Sequence, residues 1–360
     1  MRPNAKRLTD RSKDAYARAG VDTERANEAV ARYRALLGQS EDVTGNIGAF
    51  AGSFPLHGFR EPVLVASTDG VGTKVLLAAA LGGFESIGRD LVQHCINDVL
   101  CLNARPLFFL DYLAAGRLDA AMAESVVRGI AASCEQYGVV LLGGETAEMP
   151  GLYQPSHFDL AGTIVGAVER AGLLDVHAVR AGDLLIGLPA NGFHTNGYAL
   201  VRKTLGPERW QETVPGTAVS VASALLAVHP CYLPYVRAIQ AASVSIKGMA
   251  HITGGGLAGN LPRMLPGGLA ARLQSARWTV PRIVAQVVSE AQLDRAQAYR
   301  TFNMGVGFCV AVAAADAPAA VQAANECLRA QPIESAEIQT AGIIGEIEPR
   351  LSEAPPVRIE

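Results

Sequence analysis

The chain has 360 residues, 49% of them hydrophobic and 18% charged, with a formal net charge of −3. That apolar share supplies sizeable cores and excludes a disordered chain, while the length exceeds what a single core usually sustains and points to two domains. The small net charge, with basic residues dispersed along the chain, excludes a general attraction to nucleic acid or to an anionic membrane, so any anionic ligand must be held by a local site.

Arg2, Lys6, Arg7 and Arg11 open the chain with no apolar run behind them, so no secretory signal is read there. No window approaches the roughly 18 uninterrupted apolar residues of a membrane-spanning helix. The six cysteines (Cys95, Cys101, Cys134, Cys231, Cys309, Cys327) lie far apart without a Cys-x-x-Cys pair. They read as reduced, mostly buried thiols rather than a disulfide or zinc framework, and the cytoplasm is the expected compartment.

Residues 1–18 are polar and read as an N-terminal arm. Apolar residues at Val21, Ala26, Val30, Tyr33 and Leu37 follow helical spacing, with Asp22 and Thr23 available as caps. The glycine-spaced segment from Gly45 through Gly48 to Ser53 is too small-residued to build a core and reads as a flap over a ligand. From Pro62 the order is a strand, an acidic glycine turn, a helix over Lys74 to Leu81, and a second helix over 86–102. On that second helix Leu91, Val92, Cys95, Ile96, Val99 and Leu102 form the apolar arc, and Asp90, Gln93, His94, Asn97 and Asp98 the polar one, with Asp98 at the boundary. A strand over 106–113, a helix over 122–137 and an apolar run from Val139 to Leu142 lead into a second acidic glycine turn, Gly143 to Gly151, and Asp159 to Val168 is a further strand.

The chain turns polar around Glu169 to Ala181, which sets the expected domains at 19–172 and 173–360. The second half opens with a strand over Leu184 to Leu188, a glycine-rich exit from Asn191 to Gly197, and a helix over Tyr198 to Leu205. A strand over Ile246 to Ile252 then exits into Gly254, Gly255 and Gly256, followed by a helix from about Leu257. Glycine-rich strand exits at helix starts recur in both halves without a strict sequence period.

Two strand exits in the first half place an acid beside glycine-rich backbone: Asp69, Gly70, Gly72, Thr73 and Lys74 in one, and Glu145 with Glu148 in the other. Hard cations such as Mg²⁺ take oxygen ligands, and phosphates take backbone N–H groups and a cation, so the pair suits a metal–nucleotide complex and phosphoryl transfer. The spacing matches neither a P-loop nor a G-x-G-x-x-G dinucleotide fingerprint. Each signal also has a plainer reading. Asp69 before Gly70 is ordinary turn chemistry, Glu145 and Glu148 suit a solvated loop, His194 and His251 suit hydrogen-bonded structural histidines, Asp98 suits a solvated helix face, and a triple glycine suits a tight loop.

The joint order of longer blocks is more specific. Thr68 to Lys74, Ile87 to Val92, Cys95 to Asp98, Pro106 to Tyr112, Gly143 to Gly151, His194 to Tyr198, His251 to Gly256 and Tyr299 to Gly307 together resemble the AIR synthetases, the phosphoribosylformylglycinamidine cyclo-ligases, over nearly the whole chain. Asn46, Ala51 and Arg34 depart from the family pattern. The resemblance implies an α/β fold with α+β mixed sheets, in two domains that are each a sheet with flanking helices, and a homodimer formed through the N-terminal sheets. It implies that formylglycinamidine ribonucleotide (FGAM) and ATP, with Mg²⁺, give aminoimidazole ribonucleotide (AIR), ADP and phosphate, with no nucleic-acid or membrane partner. It further implies Asp69, Asp98 and Glu145 as metal-bridging carboxylates or close outer-shell groups, Lys74 opposing phosphate charge, and His194 and His251 handling protons or orienting substrate. Asp69, Gly70, Gly72, Thr73, Gly45, Gly48, Asn97 and Asn196 are the expected nucleotide contacts, and Gly254, Gly255 and Gly256 the cradle for the substrate 5′-phosphate. Selenophosphate synthetase and thiamine-monophosphate kinase share the architecture and are the alternatives, along with a non-catalytic nucleotide-binding protein.

Overall fold

A computed structural model of the chain describes residues 51–360 and, before them, Glu28, Arg32 and Tyr33. The expected arm, most of the helix at 21–37, Arg34, Asn46, and the flap glycines Gly45 and Gly48 lie outside the described residues. The chain forms two compact units. The first takes the described residues before Phe59 together with Thr68–Val92 and Leu107–Val165, and the second takes Phe59–Ser67, Gln93–Pro106 and Gly166–Glu360.

The earlier sheet has four strands, β1 (Pro62–Gly70), β2 (Arg105–Ala115), β3 (Val140–Glu148) and β4 (Phe158–Glu169), in the order β1-β4-β2-β3. β2 and β3 are parallel and need a crossover, supplied by the helix Ala120–Tyr137. Asp119 starts that helix by accepting from the Ala121 and Met122 N–H groups, and Gly138, at φ 66°, stops it in the left-handed conformation glycine tolerates best. This helix packs on the first turns of the helix Phe84–Leu100 backbone to backbone. A Cβ on Gly129 would lie 2.0 Å from the Glu85 carbonyl oxygen, and one on Gly88 would lie 2.2 Å from that of Val126.

The expected acidic turn at Gly143 to Gly151 is corrected. Gly143 to Glu148 continue β3, and the chain turns only at Pro150 and Gly151. Cross-strand packing explains the two glycines. In register, Asp111 of β2 stands beside Gly144, and a Cβ there would sit 2.1 Å from the Asp111 carboxylate. Asp111 shares its face of β2 with the buried Phe109 and Leu113. Burial, to which the Glu145 charge adds, pushes its carboxyl up to about 7 despite the opposing pull of its own backbone hydrogen bond. Likewise β1 runs through Asp69 to Gly70, so the first acidic exit begins within the strand.

The later sheet has six strands: β5 (Leu184–Pro189), β6 (Ile246–His251), β7 (Leu269–Leu273), β8 (Val306–Val312), β9 (Gly342–Pro349) and β10 (Val357–Ile359), in the order β10-β7-β9-β5-β8-β6. Its pairs are antiparallel except β7 with β10. All seven residues of β8 are buried, the signature of a strand covered on both faces. The six cysteines are unbridged, and no helix among the described residues is long and apolar enough to cross a membrane.

The helix contact gives a direct test. Gly129→Ala forces two backbones apart and is expected to cost about 1–3 kcal/mol, the usual range for overpacking a close contact. Gly342→Ala, whose Cβ would meet nothing within 4 Å, serves as the control. Urea unfolding of both variants measures the difference, and equal midpoints would refute the close contact.

Candidate active site

The second unit gathers its polar residues around the end of β6. His251, the last residue of that strand, is buried, and its Nδ1 lies 2.9 Å from the Asp98 Oδ1. Ser67 donates to the other carboxylate oxygen at 2.9 Å. Burial pushes the Asp98 carboxyl up, but the hydrogen bond and charge of His251, with His94 and Ser67 adding, outweigh it and hold Asp98 below the ordinary carboxylate value. On the other side of the ring, His251 Nε2 lies 2.9 Å from His229 Nε2. Asp98, His251 and His229 thus form a continuous hydrogen-bonded chain.

Each member is held by an identifiable device. The loop carrying His229 is fixed by Asn97, whose Nδ2 donates to the Pro230 carbonyl at 2.7 Å and whose Oδ1 accepts from the Tyr232 N–H at 2.8 Å. With both ends of its amide engaged and no exposed surface, Asn97 is a structural clamp, which corrects its expected role as a nucleotide contact. The polar arc of the helix Phe84–Leu100 is not a solvated face: Asp90, Gln93, His94 and Asn97 are all buried. His94 Nδ1 bonds Thr195 Oγ1 at 2.9 Å. His194 is buried at a φ of 59°, a left-handed conformation uncommon outside glycine, with its ring centroid 4.2 Å from that of His229. Gly307 leaves room for it, because a Cβ there would sit 2.5 Å from the His194 ring.

A cavity of about 290 Å³ opens beside this chain, lined by Ser67, Asp98, Lys247, His251, Asn260 and Arg263 among others. The Gly254–Gly256 loop is next to it in sequence. Gly255 and Gly256 have φ values of 94° and 59°, and a Cβ on Gly256 would lie 2.1 Å from the Tyr299 carbonyl oxygen, so only glycine fits. Asn260 ties the loop by donating to the carbonyls of Thr253, Gly254 and Gly256. The expected helix from about Leu257 is a five-residue segment, Gly256–Asn260, followed by a 3₁₀ turn at Leu261–Met264 that has Pro262 in its first turn. The Asn196 Nδ2 is a buried donor without a hydrogen-bond partner.

In the first unit, Asp69 stands partly exposed at the end of β1, its Oδ1 accepting from the Gly70 N–H at 2.6 Å. Gly72 is left-handed, and Thr73 precedes the helix Lys74–Leu81 without spending its side chain on a cap. Glu145 is exposed on β3 beside Tyr112 of β2, and among the described residues it belongs to no cluster of three or more metal-ligating side chains. A second, larger cavity of about 670 Å³, lined by Phe84, Arg117, Asp119 and His157 among others, contains none of the expected site residues.

Lys74 requires a correction. Its side chain is fully buried and its Nζ lies 2.7 Å from the equally buried Asp90 carboxylate. Burial pulls the ammonium below its ordinary value while Asp90 opposes that shift. A cation buried against its own counter-ion is a core ion pair, not a charge presented to phosphate. Each Asp98 oxygen accepts one hydrogen bond, from Ser67 or from His251, so the carboxylate orients the imidazole.

Family models agree with this two-part fold. The N-terminal domain of the AIR synthase related proteins matches residues 59–168, and the C-terminal domain matches 180–353. The phosphoribosylformylglycinamidine cyclo-ligase of Oceanobacillus iheyensis is 43% identical over 313 residues, 86% of this chain and 92% of that protein. The enzyme of the same name from Xanthomonas campestris is 45% identical over 315 residues, with the same shares covered. The chain belongs to the AIR synthase family of phosphoribosylformylglycinamidine cyclo-ligases. Among solved structures, thiamine-monophosphate kinase from Stenotrophomonas maltophilia matches with a TM-score of 0.63 at 18% identity, covering 92% of this chain and 96% of that one. The hydrogenase maturation protein HypE in complex with ATP also matches at 0.63, with 17% identity and 92% and 88% covered. At these identities the two share the fold.

Sequence reasoning about this cyclo-ligase relative passed over His229, His94, Thr195 and Ser67. His229 carries no local signal, standing alone between Val228 and Pro230. His94 sat in plain view on the polar arc, and five polar residues on a helix flanked by two apolar segments was the available hint that the arc is buried. The Lys74–Asp90 pair is open to a direct test. Lys74→Met leaves a buried carboxylate without its cation and is expected to cost about 3–5 kcal/mol, whereas Lys74→Met with Asp90→Leu recovers most of that loss. Equilibrium unfolding of the single and double variants checks it, and a mild single variant would return Lys74 to the list of ligand contacts.

Proposed function

We infer that the chain closes the imidazole ring of purine biosynthesis, converting FGAM and ATP to AIR, ADP and phosphate. The observation that carries the reading on the protein side is the Asp98–His251–His229 chain beside a cavity whose lining also holds Arg263. A formyl amide oxygen is a poor leaving group on a weakly electrophilic carbon. Transfer of the γ-phosphoryl group to that oxygen, with ADP leaving, corrects both properties. The substrate's ribosyl-bearing amidine nitrogen then attacks the activated carbon, the carbon–oxygen bond breaks, phosphate departs, and the ring nitrogen gives up a proton. No protein nucleophile is required, which fits thiols such as Cys134 and Cys309 that burial holds far above the ordinary range.

The residues divide that work between them. Asp98, ionised and turned toward His251 Nδ1, stabilises the imidazolium that forms when the proton is taken up. His194 orients the neighbouring ring. Asn196, with its buried amide donor, and the Gly254–Gly256 loop are the proposed contacts for the substrate and its 5′-phosphate. Asp69, Gly70, Gly72 and Thr73 are the proposed ATP contacts; Thr73 keeps its hydroxyl out of helix capping and so available to phosphate. Asp69 and Glu145 offer the hard oxygen donors that Mg²⁺ prefers and are the residues proposed to hold it. When bound, Mg²⁺ supplies neutralisation of the charge on the transferring phosphoryl group.

A homodimer through the earlier sheet belongs to the same reading. Leu110 and Tyr112, two residues apart and therefore on one face of β2, are 36% and 38% exposed, an apolar surface suited to a second copy. The cytoplasm is the proposed compartment, and six unbridged cysteines suit its reducing conditions.

Three measurements test the proposal. Purified protein with Mg-ATP is expected to release ADP only when FGAM is present, with AIR formed in equal amount; FGAM-independent ADP release, or none from folded ATP-binding protein, redirects the assignment to another member of the fold. Glu145→Gln is expected to lose at least about 100-fold in turnover with an unchanged melting temperature, since removal of one electrostatic contact to a transition state costs on that order. Unchanged turnover removes Glu145 from the site. Tyr112→Glu is expected to shift the protein from dimer to monomer in light scattering, and a persistent dimer would place the interface elsewhere.

A further inference from the structure

Four of the seven histidines of the chain are buried together in the second unit. The ring centroids of His94, His229 and His251 are 4.9 to 5.0 Å from one another, and one ligand nitrogen from each lies within 4.8 Å of the other two. The hydrogen bond between His229 and His251 does not include His94, yet its ring stands as close to each of them as they do to one another. We propose that His94, His229 and His251 form a binding site for a divalent transition cation of the zinc type, distinct from the Mg²⁺–nucleotide complex.

The donor set favours such an ion, because neutral imidazole is a borderline donor suited to Zn²⁺ or Co²⁺ and a poor one for Mg²⁺. Spacing agrees as well. Nitrogen ligands about 2.0–2.1 Å from a tetrahedral ion stand roughly 3.3 Å apart. The 2.9 Å between His229 Nε2 and His251 Nε2 needs to open by only a fraction of an ångström. The surroundings also match. Metal-bound imidazoles are oriented by an oxygen on their other nitrogen, and here Asp98 holds His251 Nδ1 and Thr195 holds His94 Nδ1, each at 2.9 Å. Asp98 further supplies a negative charge to offset the ion, and the cavity that reaches Asp98 and His251 supplies an entry path. Among the described residues three imidazole ligands converge, which leaves a fourth position for solvent. A bound ion withdraws His251 from proton transfer, so occupancy inhibits ring closure; this consequence, unlike the site itself, rests on the function proposed above.

The test is a Co²⁺ titration of EDTA-treated, dialysed full-length protein, read by visible d–d absorption. One equivalent with the intensity of a tetrahedral nitrogen site is expected. His94→Gln and His229→Gln should each weaken binding by more than tenfold, Thr195→Val by about tenfold through loss of the outer oxygen, and His177→Gln, on the exposed surface, not at all. Circular dichroism confirms folding, and Thr195→Val keeps all three imidazoles should a histidine variant unfold. Absence of the band at one equivalent, or the same band in folded Thr195→Val and His94→Gln, overturns the site. FGAM-dependent turnover with added Zn²⁺ separates the two readings: a tight Co²⁺ site without inhibition preserves the metal site and removes His251 from proton transfer.

Discussion

The burial of a polar helix face is the constraint on which the rest of the molecule depends. The helix Phe84–Leu100 keeps Val92, Cys95 and Ile96 buried on one side and Asp90, Gln93, His94 and Asn97 buried on the other. A polar group taken out of water costs free energy unless it is hydrogen-bonded, and a charge costs more unless it is paired. Four members of this arc have identified partners: Lys74 for Asp90, Thr195 for His94, the loop at Pro230 and Tyr232 for Asn97, and His251 with Ser67 for Asp98. The hydrogen-bonded chain at His251 is one outcome of that requirement, and the buried ion pair at Lys74 is another.

Close approach is the second constraint, and it is served by glycine. Gly144 is absent of side chain because the Asp111 carboxylate fills the space, Gly129 because the Glu85 carbonyl does, and Gly307 because the His194 and Tyr232 rings do. In each case the glycine carries no turn. It permits a neighbour to be large or polar at a place where two elements would otherwise stand further apart.

This distinction explains what was legible in the sequence and what was not. The alternation of strands and helices was readable because apolar period and caps agree: the helix Lys74–Leu81 falls where expected, and β2, β4, β5 and β6 lie within three residues of their expected bounds. The acidic glycine turn was misread, because Gly143 and Gly144 look like turn residues and only the opposing strand reveals that they are packing residues. Lys74 was misread for a related reason, since nothing local tells a phosphate-facing lysine from one buried on Asp90, 16 positions further along the chain. β7, β8, β9 and β10 gave no reading; β10 is three residues long and pairs with β7. His251 and Asp98 each stand out singly in the sequence, but their pairing spans 153 positions and is created by the fold.

The hydrogen-bonded chain also fixes how its protons are arranged. A neutral imidazole has one donor and one acceptor nitrogen. Because ionised Asp98 only accepts, neutral His251 must carry its proton on Nδ1, which makes its Nε2 an acceptor and obliges His229 to donate from Nε2. A proton arriving at His229 Nδ1 can then pass through the shared Nε2 position to His251, where the Asp98 charge holds it, leaving His229 in its other tautomer. A cation at the same point replaces the shared proton and stops that transfer. Proton and metal therefore compete for the lone pair of one nitrogen, His251 Nε2, and what decides between them is whether His229 presents a hydrogen or a lone pair to the space it shares with His94.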